Sequence, residues 1–543
     1  MLNGLMMERP LLISDIIRYA ADVHPDGEVV SAAVEGGIHR YTYRDSLARI
    51  SQLAHALRAQ GIGPGDRVAT LAWNGYRHFE LYYAISGIGA VCHTINPRLF
   101  PEQIIYITHH AKDKVLFTDL TFVPLIEKLR DKLPKDMRTV VMTDRAHMPV
   151  TGDHLCYEDM LAGQPADYDW PTFDERTASG LCYTSGTTGE PKGALYTHRS
   201  SFLHSFGVLV PNRSSFGPGI KVLPVVPLFH VNAWGLPYSS PMSGTTLVFP
   251  GAKLDGASLF DLMDGEGVDA SWGVPTVWQG LLAEMVKRGR GPKGLKMIFI
   301  GGSAAPLPLI QAFERDFGVE MMHGWGMTEM SPVGTCSQMS PAEKRLPPEE
   351  QWKLKQSQGR RLYGVDLKIL DENGNRLPHD GKASGELHVR GNTVISGYFE
   401  NEKASREAFD KEGWFRTGDI ATISPSGRLM IVDRSKDLIK SGGEWISSID
   451  VENAAMACPG VATCAVIGIA HPKWDERPLL VVVAKEGQTA DKQAILDVLA
   501  TKIAKWQVPD DVVFVQALPL TATGKVSKKD LRDQLKAFSW PAA

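Results

Sequence analysis

Short, largely apolar runs separated by stretches of helical periodicity dominate the first half of the chain. Residues 68–73, 90–95 and 115–118 read as buried strands, and residues 76–85 and 101–111 between them as helices. This βαβαβ alternation predicts a parallel sheet layered with helices. It resumes with strand-like runs at 222–226, 245–249, 270–274 and 297–301, each followed by a segment able to form helix. From Val365 the pattern becomes alternating, at 366–370 and 386–390, with an Asn373-Gly374 turn between apolar segments. An antiparallel subdomain closing the first domain is expected there. After residues 428–432 comes the charged segment Asp433-Arg434-Ser435-Lys436, then a helix candidate from Ser448, strands at 465–469 and 479–483, and a helix near 491–504. Residues beyond about 436 therefore read as a small separate α/β domain.

A length of 543 residues exceeds what one core usually supports, which agrees with two or more domains. With 58 basic and 62 acidic side chains, the net charge of −4 gives no general attraction to nucleic acid or anionic membrane, so an anionic ligand needs a local site. Six cysteines, at 92, 156, 182, 336, 458 and 464, include no Cys-x-x-Cys pair; reduced thiols, a cytoplasmic location and no zinc are expected. No run approaches a transmembrane span, and the first residues lack the form of a targeting segment.

Between the apolar runs 180–183 and 194–197 lies Tyr-Thr-Ser-Gly-Thr-Thr-Gly-Glu-Pro-Lys-Gly, residues 183–193. Its glycines let successive N–H groups turn toward one anion, its hydroxyls add donors, and Lys192 adds a full charge. The Walker order fails, because the lysine follows Pro191 and precedes Gly193. A second glycine-rich match, Gly289 to Gly294, follows a helix-like run and precedes a strand, the reverse of a dinucleotide fingerprint.

The 183–193 loop resembles the phosphate-binding signature of the adenylate-forming superfamily, which holds acyl-CoA synthetases, peptide-synthetase adenylation domains and luciferases. The resemblance runs from about the first residues to about Gln534, and it is strongest to the medium- and long-chain acyl-CoA synthetase branch. It implies an AMP-binding N-terminal domain over 1–432, a hinge at 433–436 and a mobile C-terminal domain over 437–543 that carries a catalytic lysine. Within the loop it implies ATP contacts from Thr184, Ser185, Gly186, Thr187, Thr188, Gly189 and Lys192.

Further motifs follow in the family's order. Gly301-Gly302-Ser303-Ala304-Ala305-Pro306 ends a predicted strand, where open parallel sheets place ligands; by resemblance Gly302 to Ala305 line the adenine, and Gly301 lines the acyl chain with Gly324 and Pro332. In His323-Gly324-Trp325-Gly326-Met327-Thr328-Glu329, the resemblance makes Trp325 the adenine stacker, Thr328 an α-phosphate contact and Glu329, with Thr184, the Mg²⁺ site. The family usually has tyrosine at 325, so a hydroxyl is lost and stacking area gained. Asp419, in Trp-Phe-Arg-Thr-Gly-Asp, matches the ribose carboxylate, and Arg434 the second ribose-side group. His230 and Trp234, four apart, share one face if their segment is helical; by resemblance they meet the acyl carboxylate and gate the acyl tunnel. Lys525 matches the catalytic lysine, whereas Lys528 and Lys529 read as surface charge. Lys436 matches the hinge pivot, and Lys440-Ser441-Gly442-Gly443-Glu444-Trp445 the loop that meets coenzyme A.

The resemblance therefore implies an AMP-forming acid–thiol ligase using ATP, Mg²⁺ and coenzyme A, acting as a homodimer on a small carboxylic acid. A short or medium-chain acid, the thioether 3-methylmercaptopropionate among them, is the expected substrate. Long-chain acids, or transfer to a carrier protein, remain open, and a non-catalytic acyl or nucleotide sensor fits the intact motifs poorly.

Overall fold

The computed structural model describes all residues except 3, 151, 185–189, 443, 486, 489, 522–524 and 541–543. One sheet has seven strands, ordered Leu155–Cys156, Arg138–Val141, Val115–Thr118, Arg67–Leu71, Val91–Thr94, Ala178–Tyr183 and Gly193–Thr197. All neighbours are parallel except the last pair. The expected helices lie at Tyr76–Gly87 and Pro101–Ala111. Helix Tyr76–Gly87 is buried along its whole length and packs against Glu28–Ala32 of a second sheet as well as Ala178–Tyr183 of the first. Apolar residues on every face of that helix are what a position between two sheets demands.

The second sheet has thirteen strands. Its parallel part comprises Thr246–Phe249, Lys221–Pro224, Ala270–Gly273, Met297–Ile300 and Glu320–Gly326, with Glu28–Ala32 beside Thr246–Phe249. Beyond Glu320–Gly326 the pairing turns antiparallel through Val333–Cys336, Gly359–Arg361, Arg428–Arg434, Phe415–Ile423, Gly385–Gly391 and Val365–Leu370. The antiparallel region thus continues the edge of a parallel layer instead of standing as a sheet of its own. Alternation along a strand reports which face is buried and carries no information about the neighbour the strand's edge finds.

Residues after the hinge build a third sheet of five strands, in which Asp475–Ala484 pairs with Ile439–Ser441, Val461–His471 and Asp511–Phe514. Helices Ser448–Met456 and Lys492–Lys502 pack on it over a small core around Val466, Leu480 and Leu499. The Gly289–Gly294 match lies between helix Pro275–Arg288 and strand Met297–Ile300 and opens no helix. All six cysteines are free and buried. Among the described residues no helix is long and apolar enough to cross a membrane.

Candidate active site

Strands Ala178–Tyr183, Met297–Ile300 and Glu320–Gly326 end at one cleft, whose other wall comes from Phe415–Ile423, Arg428–Arg434 and the C-terminal unit. The cleft has two lobes, of about 430 and about 260 Å³, which share Gly302, Gly324, Trp325, Arg434 and Lys525. Thr184, Lys192, His230, Trp234, Gly301, Met327, Thr328, Glu329 and Pro332 line the larger lobe. Ser303, Ala304, His323 and Asp419 line the smaller. Ala305, expected beside them, turns instead into the hydrophobic core with Leu309 and Phe313. The chain bends at Gly302 and Ser303 as it leaves the strand, with Gly302 at φ 84°, and Ala305 falls on the inward side.

The predicted residues 185–189 lie outside the described residues. At the base of their loop, Thr184 N–H donates to Lys192 O at 2.9 Å and Lys192 N–H to Thr184 Oγ1 at 3.3 Å. These bonds pinch the two ends together. Lys192 Nζ stands 5.2 Å from the centre of the Tyr398 ring.

Trp325 and Asp419 are in direct contact: the indole Nε1–H donates to Asp419 Oδ2 at 2.9 Å, and Arg434 Nε pairs with Oδ1 at 2.7 Å. Burial raises the Asp419 carboxyl, and the Arg434 charge opposes that rise. The tryptophan therefore supplies a donor that fixes its own ring orientation, besides the stacking area read from sequence. Gly324 permits the close passage of its strand here, since a Cβ on it would stand 2.3 Å from the Phe299 ring. His323–Gly326 belongs to the strand itself and does not follow it, and Thr328–Met330 forms a short 3₁₀ turn.

Glu329 is buried, and burial raises its carboxyl; the Tyr398 hydroxyl, donating to Oε1 at 2.8 Å, opposes this. Tyr196 O–H donates to Thr328 O at 2.6 Å and fixes the same turn. Neither tyrosine was singled out from sequence, because each lies outside any motif and acts across more than sixty positions of chain. One carboxylate and one hydroxyl, from Glu329 and Thr184 on the same lobe, suit Mg²⁺, which takes few protein oxygens and completes its shell with phosphate and water.

His230 and Trp234 both line the larger lobe, but their segment is not the expected right-handed helix. Val231, Asn232, Ala233 and Trp234 have φ of 48°, 54°, 44° and 56°, a left-handed turn. Spacing of four brings side chains together by either hand, so the sequence could not separate the two. Trp234 stands edge-on to Trp272 and Phe299, which stack on each other at 4.2 Å; Phe299 lines this lobe and Trp272 backs it from the core. Burial, reinforced by Lys525, pushes the His230 imidazole down to about 3, so it is neutral.

Lys525 reaches the cleft from the C-terminal unit, with its Cε 3.5 Å from where a Cβ on Gly302 would stand. Burial first, then the Arg434 charge, push its ammonium down to about 8, against Asp419 and Glu329. Lys436 also lines the larger lobe. The 440–445 segment forms a hairpin of Ile439–Ser441 and Glu444–Ile446, and its described residues line neither lobe. Gly443 lies outside the described residues. Within that hairpin Gly442 N–H donates to Trp474 O at 2.8 Å, and Ser441 Oγ accepts from Arg477 at 3.1 Å.

Lys528 corrects the sequence reading: it is no surface charge but lines the smaller lobe and pairs with Glu452 at 2.7 Å. Lysines in a first helical turn are usually solvated, and only the fold brings Glu452 opposite. Lys529 is exposed, as expected, and faces Asp533.

The AMP-binding enzyme family matches residues 17–399, and the AMP-binding enzyme C-terminal domain residues 450–525. The chain is 51% identical to a 3-methylmercaptopropionyl-CoA ligase of Ruegeria lacuscaerulensis, covering 98% of this chain and 99% of the relative. It is 47% identical to a medium-chain-fatty-acid–CoA ligase of Ectopseudomonas oleovorans, covering 98% and 97%. Among solved structures, the anthranilate CoA ligase AuaEII in complex with anthranoyl-AMP superposes with a TM-score of 0.85 at 25% identity, covering 98% of each chain.

Proposed function

The chain belongs to the AMP-binding enzyme family, and from that premise we propose how its cleft works and on which acid. It is an acyl-CoA synthetase, which joins a carboxylic acid to AMP at the expense of ATP and then passes the acyl group to coenzyme A. The observation that carries the mechanism is the entry of Lys525 into a cleft whose other wall holds Asp419, Arg434 and Trp325.

In this reading Thr184 to Lys192 hold the phosphates, Trp325 stacks the adenine, and Asp419 with Arg434 binds the ribose. Glu329 and Thr184 would hold Mg²⁺, which supplies charge neutralisation to the phosphates when bound. The neutral His230 donates to the acid without trapping it as an ion pair. A carboxylate oxygen attacks the α-phosphorus, the α–β phosphate bond breaks, and pyrophosphate leaves. Lys525 neutralises the charge that builds on the phosphorus oxygens, where an electrostatic donor has its largest effect. The C-terminal unit then pivots at Lys436, withdrawing Lys525 and bringing residues 440–445 to the cleft. The thiol sulfur attacks the acyl carbon, its proton passes to solvent, and AMP departs. Alternation suits the chemistry because one cavity cannot both neutralise pyrophosphate and admit a thiol.

For the acid, we favour 3-methylmercaptopropionate or a short to medium fatty acid. The names of the relatives support this, and so does the aromatic wall of Trp234 and Phe299, backed by Trp272, across the acyl lobe. A panel of propionate, butyrate, octanoate, palmitate and 3-methylmercaptopropionate, assayed for CoA-dependent AMP release, tests it. The thioether acid and butyrate are expected to exceed palmitate by at least about tenfold, the scale of discrimination an apolar pocket supplies. AMP release that ignores CoA, with no thioester formed, would sink the ligase assignment; palmitate as the best acid would replace only the substrate. We take the working form to be a cytoplasmic homodimer. Free buried cysteines suit a reducing compartment, and the exposed Leu2, Leu5, Met6 and Met7 offer a surface for a second copy.

The Lys525 ammonium sets a pH limit. It is charged below about 8 and neutral above, and adenylation needs the charged form. The kcat/KM of pyrophosphate exchange is therefore expected to fall through an apparent pKa near 8 as pH rises, while Lys525→Arg flattens that limb. An unchanged alkaline limb in the arginine variant would assign it to another group.

A further inference from the structure

Four side chains form a continuous polar chain across the boundary between the large unit and the C-terminal unit. Asp433, at the end of strand Arg428–Arg434, accepts on Oδ2 from Ser448 N–H at 2.6 Å and from Ser448 Oγ–H at 2.7 Å. Lys528 Nζ donates to the same Ser448 Oγ and pairs with Glu452 Oε1. Next to them, Ser447 Oγ–H donates to Val432 O at 2.7 Å. Asp433 and Ser448 are 1% and 0% exposed, so these contacts are shielded from water and charge-assisted. Ser448 is the first residue of helix Ser448–Met456, so its N–H, one of the helix's orphan donors, is satisfied by the Asp433 carboxylate.

The topology gives this chain a direction. Val432 and Asp433 precede Lys436 and belong to the thirteen-stranded sheet, whereas Ser447, Ser448, Glu452 and Lys528 follow it and belong to the five-stranded unit. Rotation about residue 436 breaks every bond between the two sets. Bonds within the C-terminal unit, Lys528 to Glu452 among them, travel with it. Lys528 is three residues from Lys525, so holding its helix against Asp433 also holds Lys525 in the cleft.

We propose that Asp433, Ser448, Lys528 and Glu452 form a latch that positions Lys525 for adenylation, and that its strength sets the division of the enzyme between its two half-reactions. These are positioning residues; none need touch the reacting atoms. The proposal rests on the ligase reading above, and the test separates the two.

Ser448→Pro removes both donors at a helical position where proline is well accepted, which leaves the helix intact; Asp433→Asn removes the charge. Pyrophosphate exchange is measured beside thioester formation from supplied acyl-AMP and CoA, with a melting curve for each variant. Exchange is expected to fall about tenfold in both variants while the thiol step holds or quickens, and Ser448→Thr, which keeps N–H and hydroxyl, restores the wild-type ratio. Parallel loss of both half-reactions, or a ratio within twofold of wild type, overturns the latch. The same wild-type assays test the ligase reading independently, since failure there removes both products before any variant is compared.

Discussion

Lys525→Ala is expected to lower adenylation at least about 10²-fold, the cost of removing one preorganised electrostatic donor from a shielded transition state. Thioester formation from supplied acyl-AMP is expected to continue near the wild-type rate, because in the proposed second half-reaction this side chain leaves the cleft. The loss is electrostatic, not structural: Lys525 sits on a loop at the edge of the C-terminal unit, where Lys525 N–H donates to Thr521 Oγ1 at 3.2 Å through the backbone. That bond survives the substitution, and so the melting temperature is expected to hold. Single-turnover measurement of each half-reaction decides the matter. Equal loss in both would remove Lys525 from its assigned step.

Asp419→Asn is expected to raise the KM for ATP about 10²-fold. The carboxylate accepts from Trp325 Nε1–H and pairs with Arg434 Nε, and hydrogen bonds to charged groups each contribute about 1.5–3 kcal/mol. The amide keeps the shape but turns two donors toward the guanidinium or the indole, so at least one partner is left unsatisfied. Loss of the bond to Trp325 also frees the ring proposed to stack the base, and affinity for AMP alone is expected to fall with that for ATP. Titration of the protein with AMP by calorimetry gives the result without turnover. A KM within about threefold of wild type would detach the carboxylate from nucleotide binding.

Much of this cleft was legible because its parts are short and local. The glycines, hydroxyls and lysine of 183–193, the small residues of 301–304 and the Trp325 to Glu329 run each sit at a strand's carboxyl end, and a strand's end can be read from where its apolar run stops. What escaped was carried by distance in sequence. Tyr398 meets Glu329, and Lys528 meets Glu452 and Ser448, through contacts that only the assembled fold creates. The hand of the 231–234 turn escaped for another reason. Valine, alanine and tryptophan have no local preference for positive φ, so nothing in their identity announced it. The junction between the parallel and antiparallel strands of the large sheet was hidden likewise, since Val333–Cys336 and Gly359–Arg361 are too short to carry a period.

That left-handed turn places a strained backbone at the wall of the proposed acyl lobe. Each non-glycine residue wound this way costs about 1–2 kcal/mol, and what restrains the four is their burial, with Trp234 wedged beside Trp272 and Phe299. If Trp234 bounds the acyl lobe as proposed, cutting it back to admit bulkier acids also removes the wedge, and a fall in melting temperature is expected with it. Ala233→Gly, which relaxes the backbone at a residue that does not line the lobe, is expected to offset part of that loss.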